Sequence, residues 1–141
     1  VTEWQGKILM CRRAIDPRKG YWTLPAGFME EGETTEQGAM REAREEANAE
    51  LEILSLLAVY NIPRISQVQL IYKARLCSPD VSAGVESLEV AFFGWNEIPW
   101  SDIAFPSVIW ALNHYREVRD VMSFAPFVNP EGENGNFLPA S

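Results

Sequence analysis

The apolar positions of the chain form two kinds of pattern, one typical of strands and the other of helices. Continuous apolar runs, and runs in which apolar and polar residues alternate, predict strands. Such runs lie at Lys7–Arg13, Leu51–Ile62, Val68–Leu76 and Leu88–Trp95. A further strand-like stretch, "YWTLPAGF", is broken by Pro25 and Gly27, two residue types that interrupt strands. The pattern therefore predicts a sheet built from short strands.

The stretch from Val68 to Leu76 alternates most clearly. The apolar residues that share one face are Val68, Leu70, Tyr72, Ala74 and Leu76, and the polar residues of the other face are Gln69, Lys73 and Arg75. Because successive strand residues point to opposite faces, we expect the first set to face the core.

Two segments have helical spacing. The first runs from about Thr34 to Ala47, where Thr34 and Gln37 form a capping-box signature and Asn48 suits a left-handed turn after the helix. Its narrow apolar stripe consists of Ala39, Met40, Ala43 and Ala47. The second starts near Pro106, a favoured first-turn residue, and continues to about Asp120. Its predicted core-facing residues are Val108, Ile109, Leu112 and Tyr115.

Strands interleaved with two helices predict an α/β sandwich with a mixed β-sheet. A chain of 141 residues forms one domain with a sizeable core. We place this domain at residues 1–122 and a loosely held C-terminal tail, rich in proline, glycine and asparagine, at 123–141. Because the chain opens on Val1 and not on methionine, we allow for an upstream part that this sequence does not include.

Charge narrows the classes of function. The formal net charge is −8, whereas binding to nucleic acid or to an anionic membrane needs a basic surface. An anionic small-molecule substrate remains open if a cation mediates its binding. Cys11 and Cys77 lack partners at zinc-ligand spacing, and we favour two reduced thiols over a disulfide. Without a signal peptide or an apolar run of membrane-spanning length, a cytoplasmic location is expected.

The segment "GFMEEGETTEQGAMREAREEAN" concentrates acidic residues. Glu42, Glu45 and Glu46 stand three and four residues apart, so their carboxylates share one face of the predicted helix. Oxygen donors at this density suit Mg²⁺ or Mn²⁺. Glu33 lies at the start of the helix, and Arg41 is placed to pair with Glu33 or Glu45. Charge density alone favours the other interpretation, an ordinary solvated helix face.

Spacing decides between the two interpretations. Six positions follow in order, with five, seven and two residues between successive groups: Gly27, Glu33, Arg41-Glu42 and Glu45-Glu46. This order resembles the Nudix box, G-x5-E-x7-R-E-U-x-E-E-x-G-U, in which U is bulky and apolar. From average residue usage, a chance match in a chain of this length has odds of about one in 10⁵. The metal-binding interpretation is therefore preferred.

Three weaker positions of the box differ in this chain. Ala43 and Ala49 replace bulky apolar residues, and Asn48 replaces the glycine that follows the helix. None of these changes removes a carboxylate, and asparagine tolerates the left-handed turn. We expect altered packing and retained chemistry.

The resemblance extends over roughly residues 7–115. The segments "CRRAIDPRKGYWTLPAGFMEEGE", "YNIPRISQVQLIYKARL" and "ESLEVAFFGWNEIPWSDIAFPS" resemble the bacterial and plant Nudix branch that cleaves ADP-ribose and FAD. It implies a Nudix-type α/β/α sandwich with a loop–helix–loop motif, and Mg²⁺- or Mn²⁺-dependent hydrolysis of a pyrophosphate bond. Alternatives are an NADH or NTP pyrophosphatase and a non-catalytic sensor of ADP-ribose-like ligands. Enzymes of this type are commonly homodimers, which we expect here.

The resemblance also implies residue roles. The implied metal-site residues are Gly27 through its carbonyl, Glu33, Glu42, Glu45 and Glu46. The implied catalytic residues are Arg41, which orients the glutamates, Glu45 and Glu46, and a general base from outside the box, for which Glu86 and Glu89 are candidates. The implied substrate contacts are Arg12 and Arg13 for phosphate, and Trp22, Phe28 or Tyr60 for a stacked base. Against the last group, aromatic residues beside strands more often belong to the core.

Overall fold

A six-stranded mixed β-sheet lies between two helices in the computed structural model, which describes residues 1–136. The strands are β1 (Thr2–Trp4), β2 (Lys7–Arg13), β3 (Trp22–Thr23), β4 (Leu51–Ile62), β5 (Gln67–Leu76) and β6 (Ser87–Phe93). The helices are α1 (Thr35–Ala47) and α2 (Pro106–Val118), and 3₁₀ turns cover Pro63–Ile65, Trp95–Glu97 and Trp100–Asp102. The predicted α/β/α sandwich with a mixed sheet is confirmed. Within residues 1–136, no helix has the length and apolar content to cross a membrane.

Strand β2 is the centre of the sheet, whose order is β3-β2-β1-β5-β4 with β6 added to β2. One edge of β2 pairs with β1 near Lys7 and with β3 near Cys11, while β6 pairs along the opposite edge. The β1–β5 pair is parallel and the other pairs are antiparallel. This arrangement brings the end of β2, the start of β6 and the start of β3 to one end of the sheet.

The period of two along β2 builds a core on each face of the sheet. Ile8 and Met10 join the larger core with α2, whereas Leu9 and Cys11 join the smaller core with α1. The smaller core also contains Ala43, Ala47 and Ala49, all fully buried. The alanines that replace bulky residues of the box therefore lie where α1 packs on the sheet.

The alternation predicted for β5 is confirmed only in part. Ala74 and Leu76 are buried, but Val68 is 64% exposed and Leu70 is 39% exposed. Alternation decides which face of a strand a residue takes, but it does not decide whether another element covers that face.

Lys73, on the polar face of β5, is buried beneath the end of α2. Its Nζ donates hydrogen bonds to the carbonyls of Val118 (2.9 Å), Arg119 (3.1 Å) and Val121 (3.3 Å). A cation suits this position because the last carbonyls of a helix lack partners and carry partial negative charge.

Between residues 123 and 136 the C-terminal segment is held against the sheet at Phe127 and Asn129, whereas the sequence predicts a loosely held tail at 123–141. Phe127 forms two backbone hydrogen bonds of 2.9 Å with β4. The side chain of Asn129 exchanges two hydrogen bonds of 2.8 Å with the backbone of Asn61. These contacts fix the segment along the edge of the sheet. The domain boundary stays a prediction, and residues 137–141 lie outside the described part of the chain.

Candidate active site

Helix α1 presents the acidic residues, and its ends are defined as the sequence predicts. Thr34 Oγ1 accepts a hydrogen bond of 3.1 Å from the Gln37 N–H, and Gln37 Oε1 accepts one of 2.8 Å from the Thr34 N–H. Asn48 takes the left-handed conformation after the last turn (φ 48°, ψ 38°). With Ala43 and Ala47 against the sheet, the glutamates of the last two turns are left beside the loop that precedes α1.

Arg41 links this loop to the helix carboxylates. It donates hydrogen bonds of 2.9–3.2 Å to both carboxylate oxygens of Glu33, and its Nη2 donates one of 2.8 Å to the Phe28 carbonyl. Its Nη1 donates to Glu42 (2.7 Å) and to Glu45 (3.0 Å). The predicted pairing of Arg41 with Glu33 and Glu45 is thus present, because one planar guanidinium can donate in several directions at once.

Glu33 contacts Arg41 and the loop backbone. Its Oε1 also accepts a 2.7 Å hydrogen bond from the Glu30 N–H. The hydrogen bonds from Arg41 lower the pKa of Glu33, and those to Glu33 and Glu42 raise the pKa of Arg41. Both side chains therefore stay charged at neutral pH, and in this arrangement Glu33 holds Arg41 in place.

Gly27 lies against the carboxylate of Glu42. A Cβ placed on residue 27 would fall 2.0 Å from Glu42 Cδ, far inside van der Waals contact. Burial raises the pKa of Glu42; the hydrogen bond from Arg41 opposes this rise, and the charges of Glu45 and Glu86 add to it. Any side chain at position 27 would therefore displace the carboxylate of Glu42.

Glu46 is the most buried acid of the three. Its Oε2 accepts a 2.9 Å hydrogen bond from the backbone N–H of Ala26. Burial raises the pKa of Glu46 to about 7; the bond from Ala26 opposes the rise, and the charges of Glu42 and Glu86 add to it. The charges of Glu42 and Glu86 therefore act on the partly buried carboxylate of Glu46, and a bound cation would relieve this repulsion.

The carboxylates do not converge on one point in this arrangement. Arg41 engages Glu42 and Glu45, and Ala26 engages Glu46. Within residues 1–136, no three acidic, histidine or cysteine side chains form a cluster with metal-binding geometry. The chemistry of the donors fits a hard divalent cation, and binding one requires these side chains to turn from their present partners.

The loop before β6 completes this site. Glu46 and Glu86 line one small cavity together with Cys11, Arg13, Ile15, Thr23 and Ser87. Glu86 also raises the pKa of both Glu42 and Glu46. Glu89, by contrast, pairs with Arg12 at 3.3 Å and is half exposed. Of the two predicted bases, the structure brings Glu86 to the carboxylates.

The side chains of the two adjacent arginines of β2 also have different partners. Arg13 lines the cavity with Glu46, its charge lowers the pKa of Glu46, and its Nε donates a 2.8 Å hydrogen bond to the Pro17 carbonyl. Arg12 instead donates to the Gly20 carbonyl at 2.9 Å and pairs with Glu89. Only Arg13 lies beside the carboxylates.

The three aromatic candidates occupy different surroundings. Tyr60 is fully buried and its hydroxyl contacts His114 Nδ1 at 2.5 Å, so the prediction that it stacks on a base is wrong. Trp22 packs edge-on against Phe93 and contacts the larger core. Phe28 is 77% exposed in the loop held by Arg41. The roles of Trp22 and Phe28 stay predictions.

Comparison with known proteins settles the family. Residues 1–108 match the family model described as the NUDIX domain. The chain belongs to the Nudix family. This confirms the resemblance read from the box, and with it the expected class, a Nudix pyrophosphatase enzyme.

Individual relatives agree with this assignment. An ADP-ribose pyrophosphatase of Methanocaldococcus jannaschii is 32% identical over 126 residues, which cover 86% of this chain and 69% of that protein. An 8-oxo-dGDP phosphatase of Homo sapiens is 33% identical over 99 residues, but this chain spans only 30% of its length. The crystal structure of a Nudix hydrolase from Nitrosomonas europaea is 50% identical with a TM-score of 0.85, covering 92% of this chain and 74% of that one.

Sequence reasoning missed the contact between α1 and the loop before β6. Ser82 and Gly84 donate backbone hydrogen bonds to the carbonyls of Ala47 (2.9 Å) and Glu46 (3.0 Å). Nothing in the spacing of the box points to a partner some forty residues away. The one available signal is Gly84 itself, a loop glycine two residues before the candidate base Glu86.

Proposed function

We propose that this Nudix protein hydrolyses the pyrophosphate bond of a nucleoside diphosphate derivative, with ADP-ribose as the first candidate and FAD as the second. The observation that carries the proposal is the group of box carboxylates around Arg41, namely Glu33, Glu42 and Glu45, found in a chain whose similarity to an ADP-ribose pyrophosphatase covers 86% of its length. FAD rests on the resemblance of the flanking segments alone.

We propose that a divalent cation, Mg²⁺ or Mn²⁺, is held by Glu42, Glu45 and Glu46 with the carbonyl of Gly27. When bound, such a cation neutralises phosphate charge and lowers the pKa of a coordinated water. The raised pKa of Glu42 and of Glu46 supports the assignment, since both carboxylates lack nearby positive charge sufficient to offset their burial. Glu33 supports the site indirectly, as the partner of Arg41.

The other residues supply positioning and proton transfer. Arg41 fixes the loop that carries Gly27 and Phe28 relative to the helix. Glu86, on the wall of the same cavity as Glu46, is proposed as the general base that takes a proton from the attacking water. Arg13, on that wall as well, is proposed to contact a phosphate, because a guanidinium matches phosphate oxygens in geometry and charge. Burying the reaction here strengthens each of these interactions.

A panel of substrates tests the proposal. The protein is incubated with ADP-ribose, FAD, NADH and nucleoside triphosphates in Mg²⁺, and the products are separated and identified. AMP from ADP-ribose or FAD supports the proposed class and identifies the bond that breaks. Turnover of triphosphates or NADH alone would move the substrate class to one of the alternatives. Ligand-dependent thermal stabilisation with no product from any compound would indicate a sensor.

A homodimeric state and a cytoplasmic location stay predictions for this chain. The first is measured by light scattering on the eluted protein. The second requires localisation of the full-length product in its own cell.

A further inference from the structure

We infer that Gly84 is a positioning residue for hydrolysis, acting by holding Glu86 at a fixed place beside Glu46. The inference rests on the proposed function, because it assigns the role of base to Glu86. Its evidence is a set of contacts between the last turn of α1 and residues 82–87, which we call the clamp segment.

The clamp segment donates hydrogen bonds to the last backbone carbonyls of α1. Gly84 N–H donates to the Glu46 carbonyl at 3.0 Å, and Ser87 Oγ donates to the same carbonyl at 2.8 Å. Ser82 N–H donates to the Ala47 carbonyl at 2.9 Å. The Asn48 side chain returns hydrogen bonds to Ser82, to its carbonyl at 3.2 Å and its hydroxyl at 3.0 Å. In most helices the last carbonyls bond to solvent or to local caps. In this protein those of α1 bind a distant loop.

Gly84 approaches the helix too closely for any other residue. A Cβ on residue 84 would lie 1.7 Å from the Glu45 carbonyl oxygen and 3.1 Å from the Glu46 carbonyl carbon. These atoms belong to helix backbone, so they cannot move aside as the end of a side chain could. The glycine is therefore required by space, and any side chain here pushes the clamp segment away from α1.

Glu86 is fixed from both sides by this arrangement. Gly84 and Ser87 flank it and both bond to Glu46, and the Glu86 carbonyl accepts a 3.0 Å hydrogen bond from the Ala14 N–H. The backbone of Glu86 is thus tied to the residue that bears the most buried carboxylate of the site. A base must lie within hydrogen-bond reach of the proton that it removes. Displacement of the clamp segment would therefore move the Glu86 carboxylate away from the attacking water.

The first test is Gly84→Ala, measured with whichever substrate the wild-type protein cleaves. We expect kcat to fall about 100-fold, the scale of a 1 Å misplacement, with KM changed little. Gly94→Ala is the matched control, because its new Cβ would meet only the carboxylate end of Glu97. Wild-type kcat in Gly84→Ala would overturn the inference.

A double-mutant cycle separates positioning from stability. If Gly84 acts through Glu86, Gly84→Ala lowers kcat in the wild-type background but changes it little in the Glu86→Gln background. Equal fold-losses in both backgrounds would mean that Gly84 serves the fold alone, and would contradict the inference. Should Gly84→Ala fail to fold, Ser87→Ala takes its place in the same cycle, because it removes one clamp bond without adding atoms; the same two outcomes apply, with a smaller loss.

A crystal structure of Gly84→Ala, or of Ser87→Ala in its place, gives a readout that needs no activity. Glu86 displaced from an unmoved α1 supports the inference, and Glu86 in its original place overturns it. Absence of turnover by the wild-type protein would count against the proposed function and leave this structural outcome readable.

Discussion

Gly27 and Glu42 are packed so closely that a Cβ on residue 27 would lie 2.3 Å from each carboxylate oxygen of Glu42. The atoms in the way are the end of a side chain, so a substitution moves the carboxylate and spares the backbone. We predict that Gly27→Ala folds with a melting temperature near that of the wild type and loses about 100-fold in kcat/KM. Wild-type activity in this variant would show that the position of Glu42 does not matter.

Arg41 connects four groups of the site, and lysine cannot reproduce its planar fork. We predict that Arg41→Lys lowers both kcat and the melting temperature. Arg44→Lys is the matched control in the same helix, because Arg44 is half exposed and meets Glu50 only at 3.7 Å. Steady-state kinetics and thermal unfolding of the two variants decide the matter. Equal behaviour of both would contradict the role given to Arg41.

Glu86 and Glu89 are three positions apart in the chain and provide a direct comparison. Removing a general base typically costs 10²- to 10⁴-fold in rate, by order of magnitude. We predict a fall of about that size in kcat for Glu86→Gln, and a change of only a few fold for Glu89→Gln, whose carboxylate pairs with Arg12 on the surface. Single-turnover rates measure both. A larger effect at Glu89 would reverse the assignment.

The two thiols differ in reactivity. Burial raises the pKa of Cys11 to about 12, and Cys77 is exposed. Since the thiolate is the reactive form, we predict that iodoacetamide at pH 8 modifies Cys77 alone in the folded protein and both cysteines after denaturation. Intact mass and peptide mapping read the result. Rapid labelling of Cys11 without denaturant would contradict the burial of this strand.

His114 gives the fold a dependence on pH. Its ring stacks on Phe127 with centroids 4.2 Å apart and contacts the Tyr60 hydroxyl, and burial lowers its pKa despite the opposing charge of Glu117. The pKa of His114 is thus lower in the folded protein than in the unfolded chain, where it is about 6.5. The contribution of neutral His114 to the free energy of unfolding is fully present above about pH 6.5 and is lost as the pH falls through the pKa of the folded protein. We predict that between pH 7 and pH 5 the wild type loses more free energy of unfolding than His114→Gln. Parallel losses in urea titrations would contradict this.

Local patterns predicted the elements well, because they depend on neighbours in the sequence. The bounds of β2 and β4 and both ends of α1 follow from apolar runs, a capping box and Asn48. The box residues followed from spacing, since a helix converts fixed spacing into a shared face. Contacts between distant segments could not be predicted in this way. The docking of Phe127, the burial of Lys73 and the clamp segment all depend on which loops the sheet order brings together.

The same limit explains the mixed outcome for the substrate-binding residues. The pairing of β2 with β6 shifts register between Arg12 and Arg13, and sequence alone does not show which of the two arginines meets the carboxylates. Tyr60 and Phe28 are both aromatic residues near loops, and only packing separates a buried core residue from an exposed one. Composition has no information on that difference.

We propose that Glu46 and its neighbours hydrolyse a pyrophosphate bond with the help of a divalent cation. The most direct measurement is the release of AMP from ADP-ribose by the wild-type protein in Mg²⁺, by the same protein in EDTA, and by Glu46→Gln in Mg²⁺. We predict AMP and ribose 5-phosphate in equal amounts in the first case, and losses of several orders of magnitude in the other two. AMP release that persists in Glu46→Gln or in EDTA would contradict the claim.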